Sequence, residues 1–122
     1  MLRRMAWGHA ASRAVIGVAL LVRPQLGRTW FGDSVDEGGG RVALSAFAVR
    51  EAALGLGIMA GLRAHEPVRR WFRLGVAFEV VDAGATLAQR RSLPDTRFPD
   101  AVTLFAASGA IGGLLLGALL ED

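Results

Sequence analysis

Five ionisable residues interrupt otherwise apolar stretches of this sequence: Arg13, Arg50, Glu51, Glu79 and Asp82. Each lies near the middle of its stretch, so a helix crossing a membrane would carry it near the centre of the bilayer. A charge at that depth costs about 2.5–3.5 kcal/mol on insertion scales. Such side chains persist where they pair inside a helix bundle or serve a function, so these five residues are the candidate site.

The spacing of the five residues predicts which of them pair. Glu79 and Asp82 are three positions apart and share one face of a helix. Arg50 and Glu51 are adjacent, so their side chains point about 100° apart. We therefore expect Arg50 to pair with Glu79 or Asp82. Glu51 is then expected to face the first helix, where it meets Arg13.

This charged cluster has two interpretations. One is a structural network of ion pairs that fixes how the helices dock, and the residue types favour it. The other is a proton or ligand site, because ionisable residues inside a membrane are functional candidates. Two arginines face three carboxylates, so one carboxylate is in surplus. It must be protonated, bind a cation or pair with a group outside the chain.

The elements that would position the cluster are four apolar stretches: residues 5–22, 42–62, 71–88 and 101–120. At 1.5 Å per residue, each spans roughly the ~30 Å hydrocarbon core of a bilayer. The last stretch contains no ionisable side chain. A soluble four-helix bundle would need a polar face on every helix. The sequence therefore predicts an all-α fold, a four-transmembrane-helix bundle forming one domain over residues 1–122.

The connections are short, except for the first. Trp30 and Phe31 are expected to lie at the membrane interface, and residues 33–40 are predicted to form a flexible linker. No small-residue cleavage pattern follows the first apolar stretch, so we expect that helix to be retained. Loop arginines divide six to six between the two sides. The cluster Arg69, Arg70 and Arg73 favours cytoplasmic termini.

Glycines recur four residues apart in two of the predicted helices. The last helix contains Gly109, Gly113 and Gly117, and the second contains Gly57 and Gly61. Small residues at this spacing let helix backbones approach closely. These glycines therefore predict helix packing, either within one chain, which is favoured, or between copies.

Several function classes lack support in the sequence. There is no Cys, and no phosphate-binding loop, dinucleotide-binding or hydrolase motif occurs. His9 and His65 lie near helix ends, away from the depth of a membrane-spanning haem. The net charge of +3 is not gathered on a basic face, which argues against nucleic-acid binding. We expect no enzyme activity, no metal site and no cofactor.

The segment from Val49 to Gly57, VREAALGLG, and the acidic pair in FEVVDAG have a familiar layout. Both resemble small four-helix membrane proteins of actinobacteria and related bacteria that are grouped as a domain of unknown function. Glu79 departs from the two aspartates that are usual there. The chain is more loosely similar to DoxX-like four-helix proteins. The resemblance implies an integral membrane protein and no established activity.

Two functional hypotheses follow. The first is a small protein of the bacterial cytoplasmic membrane that acts by helix–helix interaction. Its partners would be the lipid bilayer and either further copies of the chain or a larger membrane complex. The alternative is a carrier or binding protein for a proton, a cation or a small hydrophobic ligand, which would use the charged cluster.

Overall fold

The protein is described from a computed structural model. It covers the backbone of residues 1–92 and 97–120, and the side chains of these residues except 97–103 and 105. The fold is all-α, with no strand within the described ranges. The helices are α1 (Leu2–Val22), α2 (Arg28–Phe31), α3 (Gly38–Ala64), α4 (Arg69–Ala88) and α5 (Arg97–Leu119).

The four long helices form two antiparallel pairs. Helix α1 packs along α3, and α4 packs along α5, whereas the two pairs meet chiefly through side chains. Arg3 donates a hydrogen bond to the Leu62 carbonyl, which places the start of α1 beside the end of α3. Trp7 and Leu120 pack on the same apolar cluster. The two ends of the described chain therefore lie at the same end of the bundle.

The helix ends extend beyond the predicted apolar stretches. Helix α3 begins at Gly38, and α5 begins at Arg97 with Pro99 in its first turn. Proline is tolerated there because the first backbone N–H groups of a helix have no partner within the helix. Hydropathy marks only the apolar part of a helix, so its polar first turns escape the prediction.

The prediction of a flexible linker at residues 33–40 is wrong in its local structure. A 3-10 helix covers Gly32–Asp36, and Gly38 to Gly40 form the first turn of α3. Val35 is fully buried and anchors the segment. A Cβ on Gly40 would collide with the Ser34 carbonyl group. Gly40 is needed here because the start of α3 passes close to the backbone of Ser34. The run of three glycines had instead predicted a flexible segment.

The glycines of α5 face α4, as their spacing predicts for helix packing. A Cβ on Gly113 would lie 3.0 Å from a Val76 methyl carbon, and one on Gly117 would lie 3.1 Å from the Phe72 Cβ. Gly109 lies against the Glu79 carboxyl group. All three contacts join helices of the same chain.

The glycines predicted in the second long helix contact side chains at the start of α4. A Cβ on Gly57 would lie 2.8 Å from the Trp71 ring, and one on Gly61 would lie 2.7 Å from a Val68 methyl carbon. Close backbone contact instead occurs between α1 and α3, at Gly17 and Gly55. No repeat in the sequence marks these two positions, and the prediction missed them.

The distribution of side-chain size across α1 is unusual for a helix in a bundle. Its buried residues are Ala6, Ala10, Arg13, Ala14 and Gly17. Several of its large apolar side chains are exposed, with Val15 66% exposed and Val22 72% exposed. Large apolar side chains are also exposed on α3, α4 and α5, including Val42, Val49, Leu56, Val80, Val81, Ile111 and Leu114.

Two helices within the described residues, α1 and α3, are long and apolar enough to cross a membrane. Helix α4 has 20 residues but carries five charged side chains. They are Arg69, Arg70, Arg73, Glu79 and Asp82. The described apolar part of α5, Ala106–Leu119, is shorter than a full span. Length and composition thus mark two of the four predicted spans.

Candidate functional site

The five predicted ionisable residues come together where the two helix pairs meet. Helix α1 contributes Arg13, α3 contributes Arg50 and Glu51, and α4 contributes Glu79 and Asp82. We call these five residues the charged cluster. Because α1–α3 and α4–α5 touch mainly through side chains, the cluster connects the two pairs.

Arg13 links three helices from a buried position. Its Nη1 donates to Glu51 Oε2 at 2.8 Å, and its Nη2 donates to Glu79 Oε1. Its Nε is within 3.2 Å of His9 Nε2, one turn earlier on α1. The side chains of Arg13 and Glu51 are only 6% and 9% exposed. The predicted contact with Glu51 is present, and the contact with Glu79 was not predicted.

Arg50 pairs with Asp82, one of the two carboxylates predicted for it. Its Nη1 donates to Asp82 Oδ1 at 3.1 Å, and its Nη2 donates to Asp82 Oδ2. Glu51 Oε1 lies 3.5 Å from the same Nη2. The guanidinium carbon is 4.9 Å from the ring centroids of both Phe47 and Phe78. Cation–π attraction and a two-point ion pair therefore hold this side chain.

The sequence prediction missed three residues that shape the cluster. Gly75 lies beneath Arg13, and a Cβ there would be 3.3 Å from Arg13 Nη2. Its position four residues before Glu79 puts it on the same face of α4, which is a signal that could have found it. His9 carries the same kind of signal, because it lies four residues before Arg13 on α1. Phe78 carries none, because its contact with Arg50 depends on how α3 and α4 are rotated.

The hydrogen bonds of the cluster leave two buried atoms without a partner among the described residues. They are Glu79 Oε2 and Arg50 Nε. Glu51 meets both arginines, and Asp82 meets Arg50 through both oxygens. Among the described residues, Glu79 accepts a hydrogen bond from Arg13 and from no other side chain. The three carboxylates therefore accept different numbers of hydrogen bonds, a difference that the sequence does not show.

A pocket of about 410 Å³ opens beside the Arg50–Asp82 pair. Its walls include Trp30, Phe31, Phe47, Thr86 and Gln89. The Trp30 ring packs edge-on against Phe47, with centroids 4.7 Å apart. The side chains of Arg50 and Asp82 are 21% and 19% exposed. The cluster is therefore enclosed at Arg13 and accessible at Asp82.

The described residues place no group of three or more His, Asp or Glu side chains so that it could hold a metal ion. The carboxylates are instead occupied with arginine. The cluster can bind a proton or a small cation at a carboxylate oxygen that lacks a hydrogen-bond donor. The pocket can bind the polar group of a ligand.

Comparison of the chain with protein-family models, curated proteins and solved structures finds no match.

Proposed function

We propose that this chain is a small integral membrane protein of the bacterial cytoplasmic membrane that acts by helix–helix association. It would work as a homo-oligomer or as an accessory subunit of a larger membrane complex. In this proposal α1, α3, α4 and α5 all span the bilayer, and both termini are cytoplasmic.

The observation that carries the proposal is the distribution of side-chain size on α1. This helix buries three alanines, a glycine and Arg13, while Val15, Val18, Leu21 and Val22 are exposed. Water would drive the large side chains inward, since burying one stabilises a soluble fold by about 1.5–3 kcal/mol. Lipid removes that force, and small residues then line helix contacts. The α1–α3 interface has this composition.

The charges on α4 are compatible with a span. Glu79 and Asp82 turn toward the arginines of α1 and α3, so lipid need not solvate them. Arg69, Arg70 and Arg73 are confined to the first turns of the helix, where they can reach the lipid headgroups. The shared location of both chain ends fits termini on one side of the membrane.

The exposed apolar side chains of the bundle favour association with other membrane helices. The α3–α4 connection is short, so it leaves little room for a soluble partner to bind at that end of the bundle. Outward apolar side chains lie on the lateral faces of the helices, including Val42, Val49 and Leu56 at seven-residue intervals on α3. A protein of this form meets other proteins mainly within the bilayer.

Membrane placement is tested by alkaline carbonate extraction and by reporter fusions that reveal the topology. The protein is expected to stay with membranes after alkaline carbonate washing. Reporters fused to either end are expected to report the cytoplasm, and a reporter inserted at Glu66 the same side. Opposite compartments for the two ends would refute the four-span proposal. Release by carbonate would refute membrane integration itself.

Association is tested separately, by purification in mild detergent. The mass of the particle, corrected for detergent, and the identity of co-purifying proteins are the readouts. An oligomer or a reproducible membrane-protein partner supports the proposal. A monomer that crosslinks to no neighbour in native membranes contradicts it, even when the topology is as proposed.

The pocket beside Asp82 favours a second candidate, the binding of a small amphiphilic ligand. Aromatic walls would hold an apolar body, and Arg50, Thr86 or Gln89 would meet its polar end. Native mass spectrometry of protein in mild detergent measures retained small molecules. Ala46→Phe fills the pocket, since Ala46 lines it, whereas Ala53→Phe places the same side chain elsewhere on the exposed surface of α3. Selective loss of the molecule in Ala46→Phe would support this candidate.

A further inference from the structure

We propose that Glu79 is a proton-binding site, so that its carboxyl group is neutral when the helices are packed as observed. This inference rests on the membrane placement proposed above, because a low-dielectric surrounding is what makes an unbalanced charge costly. It concerns the cluster itself and is independent of any protein partner.

The first argument is the charge balance of the cluster. Arg13 and Arg50 supply two positive charges, against three carboxylates within the same network. Guanidinium groups do not lose their protons in proteins, so the imbalance falls on the carboxylates. One bound proton makes the cluster neutral.

The second argument is that the three carboxylates accept different numbers of hydrogen bonds from the arginines. This difference indicates which carboxylate binds the proton. Glu51 Oε2 is 2.8 Å from Arg13, and its other oxygen is 3.5 Å from Arg50. Asp82 receives Arg50 at both oxygens. Glu79 receives one donor at Oε1, and its buried Oε2 has none among the described residues. The proton belongs on the oxygen that no donor stabilises.

The third argument is that, among the described side chains, no cation beyond Arg13 and Arg50 takes part in the cluster. The charged and titratable groups near Glu79 are Arg13 and His9 from α1, Arg50 and Glu51 from α3, and Asp82 from α4. His9 accepts a hydrogen bond from Arg13 at Nε2, so that nitrogen carries no proton. Residues 101–119 of α5 contain no ionisable side chain.

The position of Glu79 links its proton to helix packing. The carboxyl group lies directly against Gly109, at a point where α5 presents backbone and no side chain. Loss of the proton would leave the cluster with one excess negative charge at the contact between α4 and α5. Release of the proton is therefore expected to loosen α5, and uptake to restore its packing.

A hydrophobic carbodiimide, dicyclohexylcarbodiimide, tests the protonation state directly. It adds to a protonated carboxyl group in apolar surroundings, the acid proton moving to nitrogen as the carboxyl oxygen bonds to the central carbon. Full-length protein in native membranes is treated at several pH values, and peptides are mapped by mass. Label is expected on Glu79 and not on Glu51 or Asp82. It should fall by about tenfold per pH unit above the titration point.

Three amide variants provide a readout that does not depend on the reagent. Glu79→Gln keeps an acceptor for Arg13 and mimics the neutral acid, so thermal stability in detergent is expected to stay at the wild-type value. Glu51→Gln and Asp82→Asn each remove a charge that an arginine needs, so both are expected to lower the melting temperature.

The outcomes separate the alternatives. No label on Glu79 at any pH, or a Glu79→Gln variant as unstable as Asp82→Asn, overturns the proposal. Protection of Glu79 by sodium ions at constant pH and ionic strength also overturns it, since the site would then bind a metal cation. Carbonate extraction of the same membranes tests membrane integration separately. Release of the protein by carbonate would contradict the membrane placement, whereas a protein that stays in the membrane and carries no label on Glu79 would contradict only the proton site.

Discussion

The contact between α1 and α3 at Gly17 gives a prediction whose magnitude follows from the structure. In Gly17→Ala the new Cβ would lie 2.5 Å from the Ala48 carbonyl oxygen and 2.9 Å from the Ala52 Cα. The Ala52 backbone N would be closer still, and ordinary van der Waals contact begins at 3.4 Å, so the two backbones must separate by at least about 0.9 Å. Neither neighbour is a flexible side-chain end that could move aside.

The separation affects the charged cluster as well as the packing. Overpacking of this kind costs about 1–3 kcal/mol. Arg13 lies one turn away on the same face of α1, and its 2.8 Å bond to Glu51 would lengthen toward about 3.7 Å, beyond hydrogen-bonding range. We therefore expect Gly17→Ala to lose about 3 kcal/mol in the free energy of unfolding.

The matched control is Gly8→Ala in the same helix. Nothing among the described residues lies within 4 Å of a Cβ at Gly8, so this variant reports the effect of alanine on the helix alone. That effect is favourable by up to about 1 kcal/mol in water. The assay is reversible unfolding in mixed micelles with increasing dodecyl sulfate, followed by circular dichroism. The difference between the two variants isolates the contact.

Equal stability of Gly17→Ala and Gly8→Ala would refute the close approach of α1 and α3. A second position extends the test, because a Cβ on Gly55 would lie 2.5 Å from the Ala10 carbonyl oxygen. Both substitutions widen the same interface. The double variant Gly17→Ala/Gly55→Ala is therefore expected to lose less than the two single losses added together.

Two further predictions concern the α4 contacts. Arg50→Leu is expected to cost about 3–5 kcal/mol because it strands Asp82, and the double variant Arg50→Leu/Asp82→Leu is expected to cost less; additive losses in the same unfolding assay would contradict a direct pair. Gly113→Leu is expected to lower the melting temperature in detergent because the side chain meets Val76, whereas Gly112→Leu, with open space around its Cβ among the described residues, is expected to leave it near wild type. Equal melting temperatures for these two variants would mean that the Gly113 face does not pack on α4.

The sequence predicted much of the cluster because the relevant information is local. The angle between adjacent residues on a helix separates Arg50 from Glu51, and the three-residue spacing joins Glu79 to Asp82. From these rules the Arg13–Glu51 and Arg50–Asp82 contacts follow once the helices are neighbours. The contact of Arg13 with Glu79 does not follow, because it depends on α4 lying within reach of α1.

The glycine spacing predicted helix packing without naming the partner helix, and it did not indicate the glycines at the backbone contact between α1 and α3. Regular four-residue spacing drew attention to Gly57 and Gly61, which meet side chains. The backbone contact uses Gly17 and Gly55, which lie on different helices and form no repeat. The triple glycine at 38–40 likewise indicated a linker, although it begins α3.

The all-α class, the approximate helices and the members of the charged cluster could all be predicted from the amino-acid sequence. Hydropathy, helical periodicity and charge are properties of short segments, so they can be read along the chain. The pairing of the helices as α1–α3 and α4–α5, the link that Arg13 makes between the pairs, and the unpartnered oxygen of Glu79 among the described residues are visible only in the folded bundle. These features depend on the rotation and separation of helices distant in sequence, which packing across the whole bundle sets.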